Sequence, residues 1–345
     1  MPLRRPIIAH AIGCPAGVAP ELAAHVATDR EIGEISRLVF IGDRRVLERG
    51  AACIGKRLDL HEIRVGQDIA QLEGPSIIDL GNLDPDAIVT GKLSDAAGRA
   101  ALHNFVAGIG LARSGKVDAL TFSPFNKAAM RLAHADYTDE IDFVRRHLGG
   151  AYEGAEYNIL PGLWNARVTS HVHLSSVAMT ITRDRVRQKL VETHGALRAS
   201  GIASPRILVA GLNPHAGDNG SFGREEIDQI GPAIADARAL GIRCEGPYAS
   251  DTVFLKARDE RFDCVLTMYH DQGQIAMKFM NFREGVTLLG GFPFPIVTPS
   301  HGSAYDIAHR GKSSPAGMLR ATRLAVEMAR NLAGKSLPES TAPAV

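Results

Sequence analysis

The chain has 345 residues, with 39 Lys and Arg against 38 Asp and Glu, so its formal net charge is +1. Hydrophobic residues make up 45% of the chain and charged residues 22%, which is typical of a globular protein and argues against a disordered chain or a disulfide-rich miniature. We see no concentrated basic stripe, no apolar run near the ~20 residues of a membrane span and no metal-like pairing of the cysteines, so we expect a cytoplasmic protein that binds neither nucleic acid nor membrane.

The first half of the chain alternates β-branched runs with segments of helical period. The N-terminal stretch pairs arginines with apolar residues, but Pro6 and Gly13 interrupt it, so it predicts a first strand rather than a signal peptide. We predict strands over residues 6–12, 37–42, 76–81 and 118–123 and helices over 19–28 and 95–112.

The second half repeats this alternation. We predict strands over residues 177–182, 206–212 and 263–269, helices over 184–198 and 224–240, and a disordered end over 337–345. Strands alternating with helices are typical of an α/β fold with a largely parallel sheet, and 345 residues at ~150 per domain correspond to about two domains. The sequence therefore predicts two α/β layers.

Several common motifs are missing. The chain has no GxGxxG between a strand and a helix, no GxxxxGK[ST] phosphate loop and no GxSxG nucleophile elbow. Gly108 and Gly110 lie inside a helical pattern without a third glycine, which argues against a dinucleotide-binding Rossmann unit.

Three histidines follow or end predicted strands among small or turn-forming residues: His171, His215 and His270. Carboxyl ends of parallel strands open into the ligand crevice, so these side chains can converge from distant sequence. Converging neutral imidazoles would bind a borderline metal such as zinc. Taken singly, each is more often a hydrogen-bonded structural residue, and His173 is the rival of His171 because it lies two residues further on the same predicted strand face.

Four further segments combine turn residues with polar side chains. The loop that contains His215 is followed by Glu225 and Glu226, which we interpret as acidic residues at a helix start that complement the helix dipole. Asp251 lies just before or at another helix start, where N-capping is the alternative to a role in a site. Asp271 and Lys278 follow His270, and a lysine in a cleft can neutralise a carboxylate or phosphate.

The fourth segment runs from Pro299 to Pro315 and leads into a helix. Its small residues permit close approach of a flat ring or a phosphate, and Asp306 can accept hydrogen bonds from ribose hydroxyls. From the residues alone this segment is equally a turn with a helix cap.

Taken in order, these motifs resemble the 4-hydroxythreonine-4-phosphate dehydrogenase (PdxA-like) family over nearly the whole chain. The matching segments are GCPAGVAPE (13–21), SPFNK (123–127), SHVHL (170–174), NPHAG (213–217), GPYASDTVF (246–254), MYHDQG (268–273) and HGSAYDIAHRGK (301–312). The last segment is also similar to the cofactor loop of isopropylmalate and isocitrate dehydrogenases.

The resemblance implies two α/β/α domains that flank a cleft, as in the isocitrate and isopropylmalate dehydrogenases, and a homodimer with its active site near the dimer interface. We expect a first domain over residues 1–128 plus 285–345, with the termini and the NAD loop, and a second over 129–284, with the metal histidines and the dimer interface. The metal ligands implied are His171, His215 and His270. The NAD loop implied is His301, Gly302, Ser303, Ala304 and Asp306.

The chain departs from the family in its substrate-binding residues. Where the family has Gly-His-Thr-Glu, residues 136–139 read Asp-Tyr-Thr-Asp, so Thr138 is kept and Tyr137 replaces the histidine. Lys278 matches the substrate lysine, and Thr287 stands at the place of a substrate asparagine. Ile296 or a neighbour replaces the substrate arginine, which removes a bidentate anion clamp.

By this resemblance we expect a metal-dependent, NAD- or NADP-linked oxidation of a secondary alcohol in a small hydroxy acid, with decarboxylation as a possible second step. Zinc is the favoured metal, with Mg, Mn or Co as alternatives, and Asp251, Asp271 and Lys278 are the candidate catalytic residues. The altered residues leave two alternatives open. One is a dehydrogenase of a non-phosphorylated diol, such as the cis-dihydrodiol of terephthalate, and the other is a non-catalytic binding protein.

Overall fold

A computed structural model of the chain describes residues 4–63, 67–69, 74–150, 152–281 and 283–333. The segment 337–345, which we expect to be disordered, lies outside the described residues. None of the helices in the described ranges combines the length and the apolar character needed to span a bilayer.

The strands are short and mostly buried, as β-branched runs between turn residues predict. They are β1 (Ile7–Ala11), β2 (Arg37–Gly42), β3 (His61–Glu62), β4 (Ser76–Asp79), β5 (Ala119–Phe122), β6 (Ala155–Leu160), β7 (Leu163–Arg167), β8 (Arg206–Ala210), β9 (Arg243–Tyr248), β10 (Cys264–Thr267), β11 (Val286–Gly290) and β12 (Ile296–Pro299).

The helices lie between these strands, and several begin at a side-chain cap, such as Ser94 at the start of α4 and Thr182 at the start of α8. They are α1 (Ala19–Thr28), α2 (Arg30–Ile35), α3 (Arg44–Cys53), α4 (Asp95–Arg113), α5 (Lys127–Ala133), α6 (Glu140–His147), α7 (Val177–Thr180), α8 (Arg183–Ala199), α9 (Gly231–Ala239), α10 (Val253–Asp259), α11 (His270–Asn281) and α12 (Ala316–Leu332).

Within the described residues, the strands form one sheet in the order β3-β4-β2-β1-β5-β12-β11-β6-β7-β10-β8-β9. Two parallel blocks, β3 to β12 and β7 to β9 in that order, are joined through β11 and β6, whose pairings with their neighbours are antiparallel. The chain therefore forms an α/β sheet whose strand direction alternates at its centre. The strand pairing runs unbroken across the proposed domain boundary, and that boundary stays a prediction.

Both blocks of the sheet are covered on both faces. In β1, Ile8 packs on the side of α1, whereas Ile7 and Ala9 pack on the side of α4 with Phe105. In β8, Ile207 packs with α8 while Leu208 packs with α10. This alternation buries each strand between two helical layers, which confirms the predicted α/β/α class.

One predicted element is wrong. The strand predicted over residues 177–182 is instead the short helix α7, in which Val177 is buried while Met179 is 87% exposed. A run of a few apolar residues is ambiguous between helix and strand. The helix predicted over 224–240 is present as a π-helical turn, Glu226–Ile230, followed by α9.

Candidate active site

A cleft of about 550 Å³ lies beside the centre of the sheet, where the strand direction alternates. Its walls include the chain after β5, the carboxyl end of β7, strand β11 and the segment that follows β12. Four residues predicted for different roles line it together: His171, Thr287, His301 and Gly302. The fold therefore brings a predicted metal ligand, a predicted substrate residue and the start of the predicted NAD loop to one cavity.

The imidazoles of His171 and His270 face each other at the ends of neighbouring strands. His171 follows β7, His270 begins α11 directly after β10, and their ring centroids are 5.5 Å apart. Two imidazoles on one tetrahedral zinc have centroids roughly 5 Å apart, given Zn–N bonds of about 2.0–2.1 Å. The pair is therefore spaced as two ligands of one metal ion.

Asp271 supports this arrangement. Its Oδ1 lies 2.6 Å from Nδ1 of His270, so the Nδ1–H donates to the carboxylate and Nε2 is left with its lone pair. A carboxylate behind a histidine in this way fixes the tautomer and raises the basicity of the ligating nitrogen. For Asp271, a candidate catalytic residue, this hydrogen bond supports a role in orienting His270.

His215 follows β8, the strand next to β10, so the three predicted ligands follow three neighbouring parallel strands. Residues 215–219 all have positive φ, a left-handed turn that L-residues rarely adopt. The ring of His215 lies 6.3 Å from that of Phe222. Within the described ranges, no three His, Cys, Asp or Glu side chains already form a group that could hold a metal ion. His171 and His270 are thus paired, and His215 stands on the adjacent strand end.

Glu225 and Glu226 lie at a helix start, as predicted, but Glu225 makes no side-chain cap hydrogen bond there and Glu226 has a second role. Glu226 is buried, and its Oε1 accepts hydrogen bonds from the backbone N–H groups of Leu212 and Asn213 at 2.7 and 2.8 Å. The Asn213 side chain donates to both Glu225 and Glu226. The carboxylates therefore hold the residues that lead into the His215 loop, where Glu226 supplies the acceptor for two backbone N–H groups.

Gln272 joins the loops of three strands. Its amide nitrogen donates to the carbonyl of Gly211 and to Ser250, and its oxygen accepts from the N–H of Met268. Asp251, next to Ser250, is exposed, and α10 begins two residues later without a side-chain cap from Thr252. The helix-capping alternative for Asp251 therefore finds no support, and its loop is tied to the histidine strands.

The predicted substrate residues do not all lie together. Thr287 hydrogen-bonds Asn158 and Ser300 at 3.3 and 3.0 Å. Lys278, on the exposed side of α11, shares a small adjoining pocket with Asn158 and Ser300. Thr138 is exposed and donates to Asp142.

Tyr137 lies apart from these residues. It is 1% exposed and packs against Phe143 in an aromatic cluster, where burial and then the nearby Glu140 carboxylate raise the pKa of its phenol. It does not line the cleft, because the side chain that replaces the family histidine has turned into the core.

The predicted NAD loop packs against the segment 13–21 near the start of the chain. Gly17 packs so closely on Ser303 that a Cβ atom would lie 2.4 Å from the Ser303 carbonyl oxygen. The Ser303 carbonyl accepts from the N–H of Val18, and the Ser303 hydroxyl accepts from Asn126 at 3.2 Å. Ala304 has a φ of 41°, and Asp306 is exposed. Two motifs far apart in sequence thus form one surface.

Sequence reasoning missed Arg167. This residue ends β7, lines the cleft and has a side chain only 2% exposed. Its guanidinium pairs with Glu156 at 3.2 Å and contacts Asn158. Burial lowers its pKa. An arginine at the end of a strand gives no sign in sequence of whether it faces solvent or a cavity.

Comparison with known proteins identifies the family. The family model described as "Pyridoxal phosphate biosynthetic protein PdxA" matches residues 34–325. A Rhizobium meliloti (strain 1021) protein named as 4-hydroxythreonine-4-phosphate dehydrogenase 2 is 47% identical over 98% of this chain and 97% of its own length. A Symbiobacterium thermophilum protein named as D-threonate 4-phosphate dehydrogenase is 36% identical over 94% of this chain and 97% of its own.

Two solved structures extend the comparison. The 4-hydroxythreonine-4-phosphate dehydrogenase of Klebsiella pneumoniae has a TM-score of 0.82 at 32% identity and covers 96% of this chain and 100% of its own. A terephthalate 1,2-cis-dihydrodiol dehydrogenase of Burkholderia xenovorans LB400 has a TM-score of 0.66 at 30% identity, with coverage of 94% and 98%. Both resemble this chain over nearly its full length.

Proposed function

The chain belongs to the PdxA family and is a dehydrogenase that acts on a CH–OH group, and from this premise we propose that it oxidises a secondary alcohol of a 4-phosphorylated hydroxy acid with NAD as acceptor and a divalent metal as cofactor. D-threonate 4-phosphate and 4-hydroxythreonine-4-phosphate are the substrates named for its relatives. The observation that carries the proposal is the placement of His171, His270 and His215 after three neighbouring parallel strands.

We assign His171, His270 and His215 as the metal ligands, with zinc as the metal that best suits imidazole donors. When bound, such a cation lowers the pKa of a coordinated hydroxyl group. Asp271 accepts a hydrogen bond from Nδ1 of His270, which leaves Nε2 as the nitrogen for the metal. His173 is exposed in the turn that precedes α7 and is not paired with His270, which favours His171 over its rival.

The other residues bind and orient the substrates. The nicotinamide nucleotide binds the loop formed by His301, Gly302, Ser303 and Ala304. Asp306 accepts hydrogen bonds from its ribose hydroxyls. Thr287, Thr138 and Lys278 bind the hydroxy acid. When bound, NAD would accept the hydride from the oxidised carbon, and the candidates for the protein base that takes up the hydroxyl proton are Asp251 and Lys278. A product with a keto group β to a carboxylate then loses carbon dioxide.

NADH formation tests the proposal. Purified protein loaded with Zn²⁺ is mixed with NAD and, in separate reactions, with D-threonate 4-phosphate, 4-hydroxythreonine-4-phosphate and D-threonate. We expect absorbance of NADH with a phosphorylated acid and its loss with a chelator. Turnover unchanged by chelation would contradict the metal assignment, and turnover of no member of the panel would contradict the substrate assignment.

A second candidate substrate is an aromatic cis-dihydrodiol carboxylate. Ile296, which with its neighbours stands where the family has its substrate arginine, is fully buried in β12 and offers no anion contact. The similarity to the terephthalate dihydrodiol dehydrogenase structure is consistent with this alternative. A terephthalate cis-dihydrodiol reaction in the same panel decides between the two, because only one substrate class should give rapid turnover.

We also propose a homodimer that buries the outer face of α11. Ile275 and Phe279 are 70% and 94% exposed, one helical turn apart on the helix that begins with His270, and Met179 is 87% exposed. Exposed large apolar side chains of this kind mark protein interfaces. Light scattering should give the mass of a dimer for the wild type and a shift towards the monomer for Phe279→Glu, whereas a monomeric wild type would contradict the proposal.

A further inference from the structure

Arg167 is the most deeply buried cation that borders the cleft. Its side chain is 2% exposed. Its Nη2 donates hydrogen bonds to Glu156 at 3.2 Å and to the side-chain oxygen of Asn158. Nε and Nη1 have no hydrogen-bond partner among the described residues although both are buried. One side of the guanidinium is therefore fixed, and the rest of its donors are left unused.

A buried guanidinium with unpaired N–H donors lowers the stability of the fold. Burial penalises its charge, and each buried donor without an acceptor costs free energy that a purely structural ion pair should avoid. Arginine nevertheless keeps its proton in proteins, so the charge persists. Because Arg167 lines a cleft of about 550 Å³, a ligand that enters the cleft can supply the missing acceptor.

The neighbours of Arg167 connect it to the proposed substrate residues. Asn158 accepts from Gln274 at 2.8 Å and donates to Thr287 at 3.3 Å. Arg167 also lies four residues before His171, and both line the same cleft. A group bound to Arg167 therefore lies in the cavity that contains the proposed metal ligand and Thr287.

The charges around the cleft favour a singly charged oxyanion. Lys127 is paired with Glu140 at 3.1 Å and Lys189 with Glu192 at 2.6 Å. Arg185, which donates to the carbonyl of Val168 at 3.2 Å, also lines the cleft, as do the carboxylates of Asp139, Glu140 and Glu156. A phosphate dianion near Arg167 would meet these carboxylates, whereas a carboxylate carries half that charge and accepts the N–H groups in the guanidinium plane.

We propose that Arg167 binds the carboxylate of the hydroxy-acid substrate and takes over the role of anion clamp that Ile296 cannot perform. The identity of the whole substrate rests on the proposed function, but the recognition of a carboxylate by Arg167 is testable by itself. The assignment makes Arg167 a substrate-binding residue that distinguishes this chain from relatives with an arginine at the place of Ile296.

The test compares glycolate, glycolamide and inorganic phosphate as ligands of the zinc-loaded protein, by titration followed by NMR and by thermal shift. These probes separate a carboxylate from its neutral isostere and from phosphate. The variants are Arg167→Met and Arg167→Lys, and the matched control is Arg258→Gln, an exposed arginine paired with Asp259. Circular dichroism establishes that each variant is folded.

We expect wild-type protein and Arg258→Gln to bind glycolate at least ~10-fold more tightly than glycolamide, since a charge-assisted hydrogen bond contributes about 1.5–3 kcal/mol. Arg167→Met should lose that preference and Arg167→Lys should keep part of it. Equal binding of glycolate and glycolamide by the wild type, an undiminished preference in Arg167→Met, or a loss of phosphate binding alone would overturn the proposal. A preserved glycolate preference in a protein that turns over no phosphorylated acid would contradict the proposed function and leave the clamp supported.

Discussion

The two sides of the cleft are built differently. On the NAD-loop side, Ser303 is buried against Gly17, Tyr305 contacts Cys14 at 3.2 Å, and the hydroxyl of Ser313 donates to buried Glu21. On the histidine side, His171 has a side chain that is 58% exposed and Asp271 one that is 72% exposed.

The loop side of the site is therefore rigidly packed in the folded chain, whereas the histidine side is exposed. Close backbone packing fixes the proposed NAD loop, because the Ser303 carbonyl accepts from the N–H of Val18 and Tyr305 contacts Cys14. On the histidine side, Asp271 hydrogen-bonds His270 and Asp139 lies 4.0 Å from His171, while Gln272 and Glu226 hydrogen-bond the chain that leads into the His215 loop. We therefore expect substitutions on the histidine side to act on metal binding and activity, and those on the loop side to act on stability and NAD affinity.

The largest effect should come from His215→Ala. Loss of a carboxylate behind a metal ligand typically costs 10–100-fold in affinity or activity, so loss of the ligand itself should lower turnover by more than ~100-fold with an unchanged circular dichroism spectrum. Steady-state NADH formation and metal content are the measurements. His173→Ala is the matched control, and a larger loss in that variant would show that the ligands are assigned wrongly.

Asp271→Asn should have the next largest effect. Without the carboxylate on Nδ1 of His270, we expect zinc affinity to fall by about 10–100-fold while turnover at saturating zinc falls less. Competition with a chelating dye measures the affinity. Asp59→Asn, at an exposed position on the other half of the sheet, serves as control. An unchanged zinc affinity in Asp271→Asn would remove Asp271 from the site.

Gly17→Ala tests the contact between Gly17 and the proposed NAD loop. The new Cβ would lie 2.4 Å from the Ser303 carbonyl, so we expect a loss of about 1–3 kcal/mol in the free energy of unfolding and a higher KM for NAD. In Gly33→Ala the added Cβ meets no atom within 4 Å, and this helical glycine should gain stability instead. Equal KM values for NAD in the two variants would show that the packed loop does not hold the nucleotide.

The last prediction concerns the pH dependence of stability, with no effect expected above about pH 6.5. His10 in β1 lies between Thr121 and Ser123, and burial lowers its pKa from 6.5 to about 3. The unfolded state takes up a proton below pH 6.5 while the folded state does not, so the contribution of neutral His10 is complete above pH 6.5 and declines as the pH falls. Between pH 6 and 4, we expect the free energy of unfolding of the wild type to fall by about 1.4 kcal/mol per pH unit more than that of His10→Gln. Denaturant unfolding at several pH values measures both slopes, and parallel slopes would show that His10 titrates normally.

Local patterns predicted much of the fold and part of the site. Strand β2 and helix α1 have the predicted bounds because hydrophobic period and turn residues are local signals. The sequence indicates that the three histidines can converge from strand ends, but it does not show that His171 and His270 pair while Tyr137 lies in the core. Those outcomes depend on packing between distant segments.

Arg167 and Glu226 illustrate the same limit. An arginine that ends a strand and a glutamate at a helix start each have an ordinary surface interpretation, and only tertiary contacts show that both are buried and bound to partners far along the chain. The motifs can therefore be identified from the sequence, whereas the buried residues that support them can be identified only from the structure.

X-ray diffraction at the zinc absorption edge, from crystals grown with Zn²⁺ and NAD, is the most direct test. We expect one anomalous peak at about 2.0–2.1 Å from a nitrogen of each of His171, His215 and His270. We also expect density for the nucleotide on residues 301–306. A zinc peak held by other side chains, or nucleotide density away from that loop, would contradict the proposed site.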